Sequence, residues 1–281
     1  MVSDLVLVPA MLATLGVVGV YTGWKRRAIH ARMAAVTPTP VRELATPGVV
    51  ELEGTAVPVG EPLSAPITGR DAAVAAWTIE EWDERGDASR WREVARGIEA
   101  TAFAVDDDTA AVRVEPISKR STAGKWTQTT GVSASDGVRI DDVLAEFDSF
   151  PTETAFDPDE TPSERIRRLH DDHGLYEDTG SITNVVDAGK KHGRRRYTEQ
   201  IVSPGEAVYV LGRVRDREDP ERARFRPEDA AVTTPADGPL VVSSQDEASL
   251  EAEFESSARF RLVAGGVSTV VGVVGVAYLL L

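Results

Sequence analysis

Two stretches of this chain run without charge for a full membrane thickness. Leu5 to Trp24 reads LVLVPAMLATLGVVGVYTGW and Leu262 to Leu281 reads LVAGGVSTVVGVVGVAYLLL, 20 residues each. At about 1.5 Å per residue, either helix would match a hydrocarbon core of about 30 Å. Pro9 stands near the start of the first run, where a helix tolerates it best. Tyr21 and Trp24 suit the aromatic belt of an interface. Lys25, Arg26, Arg27 and Arg32 follow the first run, while Arg259 and Arg261 precede the second. Charge after the run, with Asp4 before it, is the pattern of a signal anchor rather than of a cleaved leader. The positive-inside rule then predicts a two-pass protein of the cell membrane, with both termini outside and the intervening region cytoplasmic.

Each run carries small residues at helical spacing. Gly16, Gly19 and Gly23 lie on the first, Gly265, Ser268, Gly272 and Gly275 on the second. Small residues let helix backbones approach closely in lipid, so these predict helix pairing, within one chain or in a homo-oligomer.

Between the runs the period shortens to two. Val50, Leu52 and Gly54 alternate with Glu51, Glu53 and Thr55, a period of two that predicts a strand. Ala72 to Trp82 is ambiguous in composition, but Trp77 and Ile79 alternate with Thr78 and Glu80, favouring strand. Thr101–Val105 and Ala111–Glu115 flank Asp106, Asp107 and Asp108 as a hairpin. Ala207–Val214 (AVYVLGRV) is a nearly continuous apolar strand, and Leu240–Val242 a last short one. One helix is predicted after Thr161, taken as N-cap, with Pro162 at N1, Glu164 closing a capping box, and a stop at Gly174. Ser244 and Glu247 suggest another capping box, opening a helix that could run into the second span.

The resulting fold class is a membrane protein, with two transmembrane helices flanking a mainly β (α+β) soluble domain. The boundaries are 1–24 for the first span, 25–47 for a basic flank and proline-punctuated linker, and 48–243 for the β domain with a helical insertion near 161–174. An amphipathic helix at 244–261 and the second span at 262–281 complete it.

Composition narrows the chemistry. The 46 acidic residues outnumber 31 basic ones, giving a formal charge of -15. Such a balance argues against nucleic acid as a partner. Lysine occurs only at 25, 119, 125, 190 and 191; acid excess with little lysine resembles a protein adapted to molar salt, the alternative being an ordinary acidic protein of a GC-rich genome. Cysteine is absent, which removes disulfides, thiolate metal sites and cysteine nucleophiles.

The candidate sites are few. The one dense basic run away from the spans is Lys190, Lys191, His192, Gly193, Arg194, Arg195 and Arg196. Its Lys190, Lys191, Arg194, Arg195 and Arg196 could meet anionic lipid or another polyanion, or could simply balance neighbouring acids. His170 and His173 could face one ion from a helix, yet no third ligand is identifiable. The three aspartates lack the alternate spacing and distal glutamate of a calcium loop. No P-loop, dinucleotide fingerprint or nucleophile–base pair is legible. No catalytic residue, cofactor or metal is therefore expected.

The order of motifs is informative. The strand GVVELEG (Gly48–Gly54) is followed by an S-x-P-x-x-G turn (Ser64, Pro66, Gly69) and a strand ending in Glu80, Glu81 and Trp82. Next come Trp91, the Phe103–Asp108 hairpin, and the turn Ser203-Pro204-Gly205-Glu206 entering Val208–Gly212 before the second span. This order, from Pro47 to Leu281, resembles the GIDE or beside-a-membrane domain, the family of the mitochondrial ubiquitin ligase MULAN and of prokaryotic relatives. The resemblance implies that ligase activity, where present, belongs to a RING after the second span, holding zinc through cysteine and histidine. Without cysteine these residues are not expected to build one. The expectation is a noncatalytic, membrane-anchored protein-interaction domain with membrane lipid and one unidentified protein as partners. A ligase by family label, or an anionic-lipid sensor using 190–196, are the alternatives.

The acid excess makes a measurable claim. The melting temperature of the chain in detergent should rise as salt goes from millimolar to molar, because screening relieves self-repulsion. A melting temperature indifferent to salt would remove the halophilic reading.

Overall fold

The computed structural model describes residues 2–83, 90–116, 119–123, 138–140, 143–147, 151–173 and 193–280. They divide into a helical unit, Met1–Thr37 with Glu247–Leu281, and a β unit, Pro38–Asp246.

In the helical unit, α1 covers Val2–Met33. At about 1.5 Å per residue it is longer than a bilayer core, and its last turns carry Lys25 to Arg32 on a continuing helix, where a linker was expected. The extended, proline-punctuated chain begins only after Thr37. Pro9 lies inside α1 rather than at its first turn.

The β unit opens with β1 (Gly48–Pro58), the short ladder β2 (Leu63–Ser64) and β3 (Asp71–Ala72), and the long pair β4 (Val74–Asp83) and β5 (Arg90–Ala100). The hairpin β6 (Phe103–Asp106) and β7 (Ala111–Val114) follows, then β8 (Lys119–Ala123), β9 (Val138–Ile140), β10 (Val143–Glu146) and β11 (Thr152–Phe156). After α2 (Glu164–His173) come β12 (Arg195–Val202), β13 (Ala207–Asp216), β14 (Ala230–Thr233) and β15 (Leu240–Ser243). The chain then returns to the helical unit as α3, one uninterrupted helix over Glu247–Leu280. It starts at Glu247, so the suggested capping box at Ser244 does not open it.

The first sheet closes on itself. β1 pairs with both β6 and β13, and the ring is completed through β7 and β14. Val50, Leu52, Phe103, Val105, Val210 and Val232 fill its interior, all buried. From the edge of β13, β15, β10 and β9 extend the sheet outward.

The second sheet, β11-β12-β4-β5-β8, is antiparallel throughout. Its inner face holds Trp77, Ile79 and Tyr197, and α2 covers them with Ile166 and Leu169. Trp77 lies directly opposite Gly97 on β5, and a side chain at 97 would overlap the indole. Helix α2 starts later than expected. The Ser163 hydroxyl accepts the Ile166 N–H at 3.4 Å, so Ser163 rather than Thr161 caps it. Its predicted stop at Gly174 lies outside the described residues.

Two aspartates fix turns around the first sheet. In the β6–β7 hairpin, one Asp107 oxygen accepts the Thr109 N–H (2.9 Å), the Thr109 hydroxyl (2.6 Å) and the Ala110 N–H (3.1 Å). The other accepts the Val41 N–H at 2.7 Å. Burial raises the affinity of Asp107 for a proton, but these four donors together hold its pKa below the ordinary value. The aspartate run is thus a turn, with Asp108 at φ 65°. After β13, Asp216 accepts the N–H groups of Asp219 (2.8 Å) and Glu218 (2.9 Å), and Arg222 donates to its other oxygen at 2.7 Å. The Asp219 N–H, followed by Glu218 and Arg222, lowers the Asp216 pKa against an opposing effect of burial.

A carboxylate with a lowered folded pKa stabilises above its unfolded pKa of about 3.9, and that contribution is lost as pH falls through the folded value. Asp216→Asn should therefore lower stability at neutral pH and flatten its loss in acid. Urea titrations at pH 7 and at pH 3 check this; an acid slope equal to that of the unsubstituted chain would refute the role.

Candidate functional site

Of the motifs, GVVELEG, Phe103–Asp106 and Val208–Gly212 lie in the first sheet, and Glu80–Trp82 and Trp91 lie in the second. Arg195 lies opposite Glu81, and Arg196 opposite Glu80, in the β12–β4 register. Alternation therefore sends the two arginines to opposite faces. On the inner face the Arg195 Nε donates to Glu81 at 3.1 Å, both side chains nearly buried.

On the outer face Arg196 donates to Glu80 and places its guanidinium 4.5 Å from the centroid of the Trp91 ring. Trp82 and Trp91 are directly opposed, their rings edge to face at 5.4 Å. A bulge at Val94, between the Ile79–Ala95 and Glu80–Glu93 pairs, keeps Glu93 beside Glu80. Burial raises the Glu93 pKa even though Arg96 donates to it at 2.5 Å, and Glu80 adds to the rise. The Thr78 and Thr198 hydroxyls share a 2.6 Å hydrogen bond on this face. The outer face is thus a half-buried band of two tryptophans, paired arginines and glutamates.

The S-x-P-x-x-G turn is held from beneath. Glu199 is fully buried, and its carboxylate accepts the Ile67 N–H (2.8 Å), the Thr68 N–H (2.9 Å) and the Thr68 hydroxyl (2.5 Å). Gly69 has φ 77°, and Arg165 of α2 reaches the Ser64 hydroxyl at 3.0 Å from above it. Nothing in the sequence singled out Glu199, an acid in a polar-looking strand. The turn Ser203–Glu206 is closed likewise: the Glu206 carboxylate accepts the Ser203 N–H at 2.9 Å, and Gly205 donates to Ala56 of β1 at 2.8 Å.

The basic run divides. Lys190 and Lys191 lie outside the described residues. Arg194 is 3.4 Å from Asp157, so all three arginines of the run have acidic partners in the fold. His170 is buried, its Nε2 3.0 Å from the Tyr197 hydroxyl and its ring stacked on Tyr197; the side chain of His173 is outside the described residues. Among the described residues, no group of three His, Cys, Asp or Glu could hold a metal ion.

In the helical unit the small residues meet. A side chain at Gly16 would overlap Thr269, one at Gly265 would lie 2.6 Å from Val20 N, and one at Gly272 would overlap Ala13. Gly19 and Gly23 face Gly265 and Leu262, and Gly275 faces the Pro9 ring. The order descends on α3 as it rises on α1, so the pair is antiparallel and within one chain. Thr269, unremarked in the sequence, occupies the crossing beside the expected Ser268. Beyond it Arg26 donates to Ser257 at 2.6 Å and stacks over Phe254 at 4.5 Å.

Residues 175–277 match the family model GIDE, described as E3 ubiquitin ligase. This is the family that the motif order resembles. No curated protein and no solved structure matches the chain. The GIDE match contains β12 to β15 and most of α3, while β1, β4 and β10, to which those strands pair, precede it. The GIDE-like motifs before residue 175 are therefore structural complements of the matched part.

The buried and the half-exposed charged residues should separate on substitution. Glu199→Ala leaves three donors without their acceptor and should cost about 3 kcal/mol or more. Arg196→Gln on the outer face should cost less than about 1 kcal/mol. Denaturant midpoints of the two variants decide it, and equal losses would contradict the assigned role of Glu199.

Proposed function

We propose that the chain is a noncatalytic, membrane-anchored interaction protein whose GIDE-containing β unit binds a protein partner at the cytoplasmic face. The observation that carries this reading is the outer face of the second sheet. Trp82, Trp91 and Arg196 stack there half-exposed, and tryptophan and arginine are the side chains that most often dominate protein interfaces.

Two further features support it. Both α1 and α3 are long and apolar enough to cross a membrane, with mean hydropathy 1.8 and 2.0. Both carry their arginines toward the β unit in sequence, which the positive-inside rule assigns to the cytoplasm. The family description names a ligase, but these 281 residues include no cysteine. Thiolates are the principal zinc ligands of a RING, so the ligase chemistry has no site among them.

A partner captured from solubilised membranes should be lost when residues 38–246 are replaced by a linker. It should be weakened at least tenfold by Trp91→Ala in a chain that still melts cooperatively. Cysteine at Ser3 should label with an impermeant thiol reagent in intact cells, and cysteine at Glu61 should not. Retention of the partner by the bare helices would move the function into α1 and α3. Stoichiometric zinc, or transfer of a ubiquitin-like modifier, would overturn the noncatalytic reading.

A further inference from the structure

On one side of the α1–α3 pair, two grooves adjoin at Leu262. One, of about 580 Å³, is lined by Val17, Val20, Tyr21, Trp24, Gly266 and Val270. The other, of about 350 Å³, is lined by Arg27, His30, Glu255, Arg259 and Val263. Leu262 borders both. On α1 the bordering positions 17, 20, 21, 24, 27 and 30 recur at three- and four-residue steps, one face of a helix. On α3 the positions 259, 262, 263, 266 and 270 do the same. Because the helices are antiparallel, both faces change from apolar to cationic at the same level.

We propose that these two adjoining grooves together bind one anionic phospholipid. The hydrocarbon chain lies along Val17, Val20, Trp24 and Val270, and the phosphate meets Arg27 and Arg259 with His30 beside them. The proposal rests on the membrane reading of the two helices.

Chemistry and shape select this occupant. A purely apolar groove would suit any lipid or another helix, but this one ends in cations. Arg27 is exposed and makes no hydrogen bond or ion pair among the described residues. Arg259 is 2.9 Å from Glu255 in a pair whose side chains are 75% and 55% exposed. Such an exposed pair is weak enough for a phosphate to compete for the arginine. His30 is 3.5 Å from Glu251, so it contributes less than the arginines. Tyr21 and Trp24 stand between the two zones, as aromatic residues do at headgroup level.

Gly266 makes the groove testable apart from the helix pair. Side chains at Gly265 and Gly272 would collide with α1, but one at Gly266 meets nothing within 4 Å. Gly266→Leu therefore fills the groove and leaves the crossing intact.

The test uses the full chain in detergent, with native mass spectrometry after addition of phosphatidylglycerol or of phosphatidylcholine with identical acyl chains. One phosphatidylglycerol should remain bound at least fivefold more often than phosphatidylcholine. Arg27→Gln and Arg259→Gln should each lower that preference about fivefold, the effect of one basic charge near a membrane surface. Gly266→Leu should reduce retention of both lipids while crosslinking between α1 and α3 persists. Equal retention of the two lipids, or unchanged retention in Gly266→Leu, would overturn the proposal. So would full competition by free glycerol phosphate, which would mean a phosphate site without a chain, or a lipid-free dimer dissociated by Gly266→Leu. Alkaline carbonate extraction separates the two readings. Release of the protein from membranes would sink the membrane reading itself, whereas retention with no lipid preference would sink the groove alone.

Discussion

Strand β13 is the constraint on which the β unit depends. One of its edges pairs with β1 over eight residues, from Ala207–Thr55 to Val214–Gly48. Its other edge pairs first with β15, at Tyr209–Leu211, and then with β14, at Arg213–Asp216. A strand used on both edges over most of its length has little freedom to slip, since a one-residue shift would invert its side chains in several pairings at once. The turn Ser203–Glu206 links it to β12, the strand that pairs with β4 in the other sheet. The registers of both sheets are thereby coupled through the four residues Ser203–Glu206, a turn fastened by the Glu206 carboxylate and by Ala56 of β1.

Buried carboxylates perform much of the fastening. Glu51 and Glu199 are both fully buried. The Tyr209 hydroxyl donates to Glu51, joining β1 to β13 by a side-chain bond beside their ladder. Glu199 gathers three donors from the loop between β2 and β3. Taking a carboxylate out of water is costly unless several donors meet it. Loops offer such donors, because their backbone N–H groups have no ladder partner. A protein rich in acids can thus use them as internal clasps as well as surface charge.

The elements most legible in the sequence were those with one clear period. The β1 alternation, the β6–β7 hairpin and the strand Val74–Asp83 follow from simple patterns. The nearly continuous apolar run at 207–214 is a strand, and Val208–Gly212 within it are buried on both faces. Glu51 alternates with Val50 and Leu52, yet it does not face water, because Tyr209, Leu211 and Val241 share its face and are buried. Strand β5 was illegible because Arg90, Arg92, Glu93, Arg96 and Glu99 interrupt any apolar period, and the bulge at Val94 shifts its phase. Long-range pairs decide such a strand, and no local window contains them. Among candidate site residues, the helix-pairing glycines were legible because close approach leaves only one residue type. The Trp82–Trp91–Arg196 band was visible only as separate motif letters until the β4–β5 register opposed them.

That register also changes the meaning of the basic run. Read as a string, Lys190 to Arg196 is a cationic patch on an acidic protein, and a polyanion is the natural partner. In the fold, a strand separates successive arginines onto opposite faces, so Arg195 and Arg196 cannot present charge together. Arg195 lies on the inner face against Glu81; Arg196 is on the outer face between Glu80 and Trp91; Arg194 meets Asp157. Each has an acid within the same unit, and a partner anion would have to displace it. The arginine stacked on an aromatic ring retains its planar face for contact even with its charge matched. Among the described residues, the outer face that Arg196 shares is accordingly aromatic, with its charges matched by neighbouring acids. Among the described residues, Arg27, beside the apolar part of α1, is a cation exposed without an ion pair, so charge and hydrocarbon surface adjoin on the helix rather than on the sheet.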